Sequence, residues 1–286
     1  MNINTKNQLR YSKSLGGGFS GTPNEVWGTI DYIDRNKPTV FFGMYDLRDY
    51  ISLWRHKGKA WILWCGGDLN NLDRGFVLND GKLRWISKLP FFKPLLIKLL
   101  KKAENWVEND WEADILYKHR IIAGICPSFL GDISKYRVSF KPGNKVYLSC
   151  SGGRYKQYGW DLIEEIADKV PEITFYLYGS NNWKTKHKNV ILRGRISQKQ
   201  MNKEVSKMQA GIRPLEFDGC SEVVVKSVLW GQHPISRINY PFVDNYKTKT
   251  ELINLLKKLP KKKKPNLKAR NWFLNNLNRY PWQNWK

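Results

Sequence analysis

The sequence predicts an α/β protein of two parallel-sheet halves, and three observations carry that expectation. Between residues 145 and 237, apolar β-type runs at 146–150, 173–178, 190–192, 211–215 and 234–236 alternate with segments of helical period. The same alternation opens earlier, where PTVFFGMY, DLRDYISLWRHKG and KAWILWCGGDL read as strand, amphipathic helix and strand. Polar and glycine-rich joints follow several of these strands. In an open parallel sheet the ligand crevice lies outside the carboxyl ends of the strands, so those joints are where a small molecule is expected.

Taken in order, residues 1–30 hold a short apolar and basic run and then Gly16, Gly17 and Gly18. A triple glycine lets backbone amides approach a phosphate, or is simply a loop; without GxGxxG spacing or a Walker lysine it is neither a dinucleotide fingerprint nor a P-loop. The strand in KAWILWCGGDL ends in Gly66, Gly67 and Asp68. Asp68 either faces a cleft as a base or caps the following turn. Residues 82–104 mix Trp, Phe and Leu with lysines, as a membrane-surface segment does, but Pro90 and Pro94 interrupt it and packing of its apolar face on the core is the favoured reading. ENWVENDWEADILYKHRI reads as one surface helix leading to a Gly124-Ile125 strand.

SFKPGN at 139–144 carries Pro and Gly and marks the joint between halves. The expected domains are 1–142, 143–240 and a basic helical segment, 241–286, packing back on the body. TKTELINLLKKL forms a helix there, and Trp272, Phe273, Leu274 and Leu277 recur at helical spacing.

With 286 residues, 41% hydrophobic and 26% charged, the chain has the composition of an ordered protein with a sizeable core. No apolar run reaches the about 18 residues that span a bilayer, and the first residues lack a signal peptide's apolar core. Four scattered cysteines, Cys65, Cys126, Cys150 and Cys220, read as reduced thiols of a cytoplasmic protein rather than a zinc site, so no metal is expected. The net charge of +24 is the anomaly. Twelve Lys or Arg and one acid, Glu251, fall in residues 246–286 alone. Such an excess suits nucleic acid or an anionic membrane surface, or is a solubilising surface. The oligomeric state is not legible.

The second half resembles the donor-binding domain of GT-B fold glycosyltransferases, the retaining group-1 type. Gly153-Arg154 stands for the family's GR, Tyr158-Gly159-Trp160 for its KG and helix, Phe175 to Gly179 for a strand ending in Gly, Asn189-Val190 to Gly194 for the NV strand, and Asp218-Gly219 ahead of Gly231 for the start of E-x7-E and G-x-P. The first half fits through Cys65-Gly66-Gly67-Asp68 and Gly124-Ile125.

The resemblance implies two Rossmann-like domains facing a cleft, an enzyme, and a nucleotide sugar, UDP-linked, as co-substrate with no tightly bound cofactor. Arg154 and Lys156 would neutralise the diphosphate, or be surface cations. Arg213 would reach the same pocket or pair with a surface carboxylate. Asp218, Gly219, Cys220 and Ser221 would hold sugar and β-phosphate, and Asp68 would serve the acceptor. Two positions depart from the pattern. The KG lysine is Tyr158, and the second carboxylate of E-x7-E is Lys226, which cannot accept the ribose hydroxyls' hydrogen bonds. Glu222, one turn earlier, is the compensating candidate or a solvent-facing residue. A phage-type enzyme acting on modified DNA would account for the charge and the 13 tryptophans. The alternatives are a catalytically degenerate nucleic-acid binder and a membrane-surface transferase with a lipid or glycan acceptor, peripherally associated.

Overall fold

The computed structural model describes residues 6–15, 22–74, 84–150, 153–179 and 181–285. The chain forms two units: Met1–Asp132 with Phe217–Cys220 and Asn276–Lys286, and Ile133–Glu216 with Ser221–Asn275.

In the first unit the elements run β1 (Gln8–Tyr11), α1 (Pro23–Trp27), β2 (Ile30–Asp31), β3 (Thr39–Phe42), α2 (Leu47–Arg55), β4 (Ala60–Leu63), α3 (Gly67–Asp73), α4 (Phe92–Leu100), β5 (Glu104–Val107), α5 (Asp110–Lys118) and β6 (Ala123–Ile125). The six strands pair in parallel in the order β2-β1-β3-β4-β5-β6. Side chains of successive strand residues point to opposite faces, and both faces here are apolar, as a covered parallel sheet requires. Phe41, Ile62, Trp64 and Val107 pack with the buried residues of α2 to α5. Val40, Phe42, Trp61 and Leu63 face the other way, onto Trp27, Tyr280 and Trp282. Tyr280 and Trp282 stack with ring centroids 4.2 Å apart. The end of the expected basic segment is thus core to the first unit.

The second unit runs β7 (Lys145–Ser149), α6 (Trp160–Ile166), β8 (Thr174–Tyr178), β9 (Val190–Gly194), α7 (Gln198–Val205), β10 (Ala210–Arg213), α8 (Glu222–Leu229), β11 (Ile235–Ser236), β12 (Asp244–Asn245), α9 (Lys249–Lys258) and α10 (Leu267–Asn276). Its sheet is again parallel, ordered β12-β11-β10-β7-β8-β9. Val146, Leu148, Phe175, Leu177 and Ile212 pack on α6 and on Leu252 and Leu256 of α9. Thr248 and Glu251 start α9 with a reciprocal capping box, and six lysines stand in and after its last turn, the end where cations are favoured. On α8 every residue from Val223 to Leu229 is buried. It lies close to β10 because position 211 is glycine: a Cβ there would come within 2.9 Å of Tyr147 and Val223. Ser227 Oγ accepts from Gly211 N at 3.0 Å and donates to Gln232 Oε1 at 2.7 Å, so the polar groups under this helix are satisfied.

Two expectations are corrected. ENWVENDWEADILYKHRI is not one helix: residues 104–107 are strand β5, Asn109 caps α5 by accepting from Glu112 N at 3.1 Å, and Glu112 is buried. The expected joint at 139–144 lies inside the second unit, where Ser139 N and Phe140 N both donate to the Trp230 carbonyl at 3.1 Å. No described helix is long and apolar enough to cross a membrane.

Candidate functional site

The carboxyl ends of the second unit's strands collect polar and cationic groups. β7 leads through Gly153 and exposed Arg154 and Lys156 to Gly159, the left-handed cap of α6 at φ +71°. A side chain at 159 would overlap Pro214, which follows β10. Gly179, after β8, sits at φ +114°, and a Cβ would run into the Cys150 carbonyl. Glycine at these two positions lets neighbouring strand ends close up. Arg213, at the end of β10, lays its guanidinium over the ring of Tyr158 at 4.7 Å. The residue standing where a lysine was expected therefore supports another cation. Burial pushes the Cys150 thiol up, while the backbone amide of Arg154 and the charges of Arg154 and Arg213 pull it down; both cations thus act on one point.

Beside them is a pocket of about 240 Å³, walled by Ser149 at the end of β7, by Ile196, Met201 and Asn202 beyond β9, and by Glu222 and Lys226 on α8. Tyr147 and Trp230 add aromatic surface. This volume is smaller than the roughly 300 Å³ lower end for sites that enclose a drug-sized ligand, so it suits one flat ring system with a few polar atoms. Lys226 is buried and bonded to Glu222 Oε2 at 2.6 Å, so its charge is paired rather than isolated. Ser221, the N-cap of α8, is 4% exposed, and its Oγ has no hydrogen-bond partner among the described residues. A buried hydroxyl at a helix amino end is a place where an anion is stabilised.

In the first unit the corresponding ends are acidic and closed. Asp68 is 0% exposed, and its carboxylate accepts from Met44 N, Cys65 N and Leu69 N, each at 2.9 Å. The expectation of a cleft-facing base is corrected: Asp68 fastens the β3 and β4 ends together. Burial raises its pKa to about 6 against the pull of those amides.

Glu108, at the end of β5, accepts from Ser128 Oγ and from Cys220 N, the latter at 2.5 Å. Asn109 Nδ2 donates to the carbonyls of Asp218 at 3.0 Å and Gly219 at 3.4 Å. Gly66, at φ +74°, would bring a Cβ to 2.6 Å from Gly219 N. Asp218, Gly219 and Cys220, expected with residues 143–240, thus pack within the first unit. Glu112 accepts from Glu108 N at 2.6 Å, and burial with neighbouring carboxylates raises both Glu108 and Glu112.

The second unit therefore gathers Arg154, Lys156, Gly179, Arg213, Ser221, Glu222 and Lys226, and the first gathers Asp68, Asp218, Gly219 and Cys220. Gly17 lies outside the described residues. Sequence reasoning missed Glu108, Asn109 and Glu112, although N-D-W-E carries the spacing of an N-cap and its third helical residue. It also missed Ile196, Met201, Asn202 and Trp230, which no local motif marks.

No family model and no curated protein matches the chain. Solved structures match its fold. TarM of S. aureus, crystallised with Fondaparinux, α-GlcNAc-glycerol and UDP, aligns at a TM-score of 0.58 and 13% identity, over 88% of this chain and 54% of that one. The pneumococcal O-GlcNAc transferase GtfA, with UDP and GlcNAc, gives 0.55 and 11%, over 87% and 56%. Sucrose-phosphate synthase from Thermosynechococcus elongatus gives 0.56 and 11%, over 86% and 70%. The chain thus spans about half the length of the first two. These neighbours are GT-B glycosyltransferases, and the two parallel six-stranded sheets with helices have that α/β architecture.

Proposed function

We propose that the chain is a glycosyltransferase that moves a sugar from a UDP sugar to a hydroxyl acceptor. The observation that carries this reading is the second unit's pocket, walled by the first turns of α8, with the orphaned Ser221 hydroxyl at the helix start and Arg154 and Arg213 at the neighbouring strand ends. The uridine enters the pocket against Ile196 and Met201. Glu222 receives the ribose hydroxyls in place of the carboxylate that position 226 lacks, and Lys226 fixes the Glu222 side chain by its direct contact. The diphosphate meets Ser221, the amides that begin α8, and the two arginines, with Lys156 as a further cation. As the bond from the sugar's anomeric carbon to the β-phosphate oxygen breaks, that oxygen gains charge and accepts the acceptor's proton. This route needs no carboxylate base and agrees with a retaining outcome and with Asp68 being engaged by backbone amides.

The test is to incubate the protein with a panel of UDP sugars and follow UDP release by phosphorus NMR. Release is expected with at least one donor, and Arg154→Ala should slow it about tenfold or more, the loss of one charge-assisted contact. Absence of both release and donor binding overturns the reading.

A second reading, favoured by the +24 charge, gives the chain a nucleic-acid partner: modified DNA as acceptor, or duplex binding without turnover. Its mark is affinity for duplex DNA that falls steeply with salt.

A further inference from the structure

α4 has two apolar faces, and the core uses one. Phe92, Leu96, Leu99 and Leu100 are buried with Tyr50 and Leu53 of α2. Along the flank beside that face Phe91 is 65% exposed and Leu95 60%, while Trp85, on the 3-10 turn Arg84–Lys88 just before, is 58% exposed. Phe91 and Leu95 stand one helical turn apart. The same line continues to exposed Lys98 and Lys102, and Lys88 precedes Phe91 by three residues. An apolar centre is therefore flanked at both ends by ammonium groups. Lys101 is also exposed, and none of these four lysines has a carboxylate partner among the described residues. Residues 84–103 contain eight aromatic or leucine residues and no acid at all. α2 packs beside α4 and turns Trp54 outward at 67% exposure.

We propose that this face docks on an anionic lipid bilayer. Trp85, Phe91 and Leu95 would enter the headgroup and acyl boundary, and Lys88, Lys98, Lys101 and Lys102 would meet lipid phosphates. Tryptophan is suited to that boundary because its ring is apolar and its N–H polar. Charge complementarity selects this occupant. A second copy of the same face would set lysine against lysine, and a duplex would satisfy the lysines while leaving three large apolar side chains against a phosphate rail. The inner face already anchors α4 to the first unit, so docking needs no unfolding.

The experiment is co-sedimentation of the full chain with vesicles of phosphatidylcholine alone, and of phosphatidylcholine and phosphatidylglycerol in equal parts. Binding is expected to the anionic vesicles only and to weaken with added salt. Phe91→Glu with Leu95→Glu should lower the partition coefficient about tenfold or more, because two inserted side chains become charged. Lys98→Glu with Lys102→Glu should lower it and flatten the salt dependence. Ile122→Glu, at an 88% exposed site elsewhere in the first unit, should change nothing. Unaltered urea midpoints would show that the variants fold. The proposal is overturned if anionic vesicles do not bind, if the Phe91 and Leu95 variant binds as the unaltered chain does, or if that variant loses duplex DNA binding while vesicle binding persists.

Discussion

The two sheets end differently at their carboxyl edges. In the first unit the edge is acidic and used up: Asp68, Glu108 and Glu112 are buried, and each accepts from backbone amides. In the second the edge is cationic, with Arg154 and Lys156 exposed and a pocket beside α8. A carboxylate bound by three amides is a brace, because removing it strands buried donors. A guanidinium on an exposed joint holds little structure together and is available to a ligand anion. The same layered scaffold thus uses charge for cohesion at one edge and leaves it exposed at the other, where the proposed function assigns it to the donor's diphosphate.

The largest expected effect tests the brace. Asp68→Ala leaves the amides of Met44, Cys65 and Leu69 without their acceptor and should cost about 3 kcal/mol or more in urea unfolding, on the order of 1–3 kcal/mol per stranded group. Full stability with lost turnover would return Asp68 to the role of base. Next, Gly179→Ala should destabilise by about 2 kcal/mol or more through its φ of +114° and its overlap with the Cys150 carbonyl. An unchanged melting temperature would show that the strand ends are not closed there.

The pH dependence sharpens the contrast from the acidic side. Asp68 titrates at about 6 when folded against a reference of 3.8, so the folded state binds its proton first. That contribution is fully present below the reference value and is lost as pH rises through about 6. Urea midpoints should show this fall for the unaltered chain relative to Asp68→Asn, which keeps an amide oxygen for the backbone but no titration. At the cationic edge Arg154→Ala should move the midpoint by less than about 0.5 kcal/mol while weakening UDP binding, as a surface change away from structural features does.

The sheets were legible because parallel strands buried on both faces read as continuous apolar runs: β7, β8 and β10 lie within a residue or two of their expected starts. The residues around Glu108 were not. Strand β5 and helix α5 follow one another with only Glu108 and Asn109 between, and their apolar residues merge into one helical-looking pattern. The role of Asp68 was open for another reason. Its alternatives differ only in which way the side chain turns, and Met44, which decides it, lies 24 residues away. Glu222 and Lys226 could be paired by their i, i+4 spacing, whereas the opposite wall of their pocket, Ile196 to Asn202, comes from a different strand-helix unit.

The most direct measurement is calorimetric titration of UDP into the unaltered chain and into Glu222→Ala. Saturable binding that weakens about tenfold or more without Glu222, measured in the range where the variant is still folded because buried Lys226 then lacks its partner, is the predicted result. No binding of UDP, or binding indifferent to Glu222, would contradict the assignment of this pocket to the nucleotide.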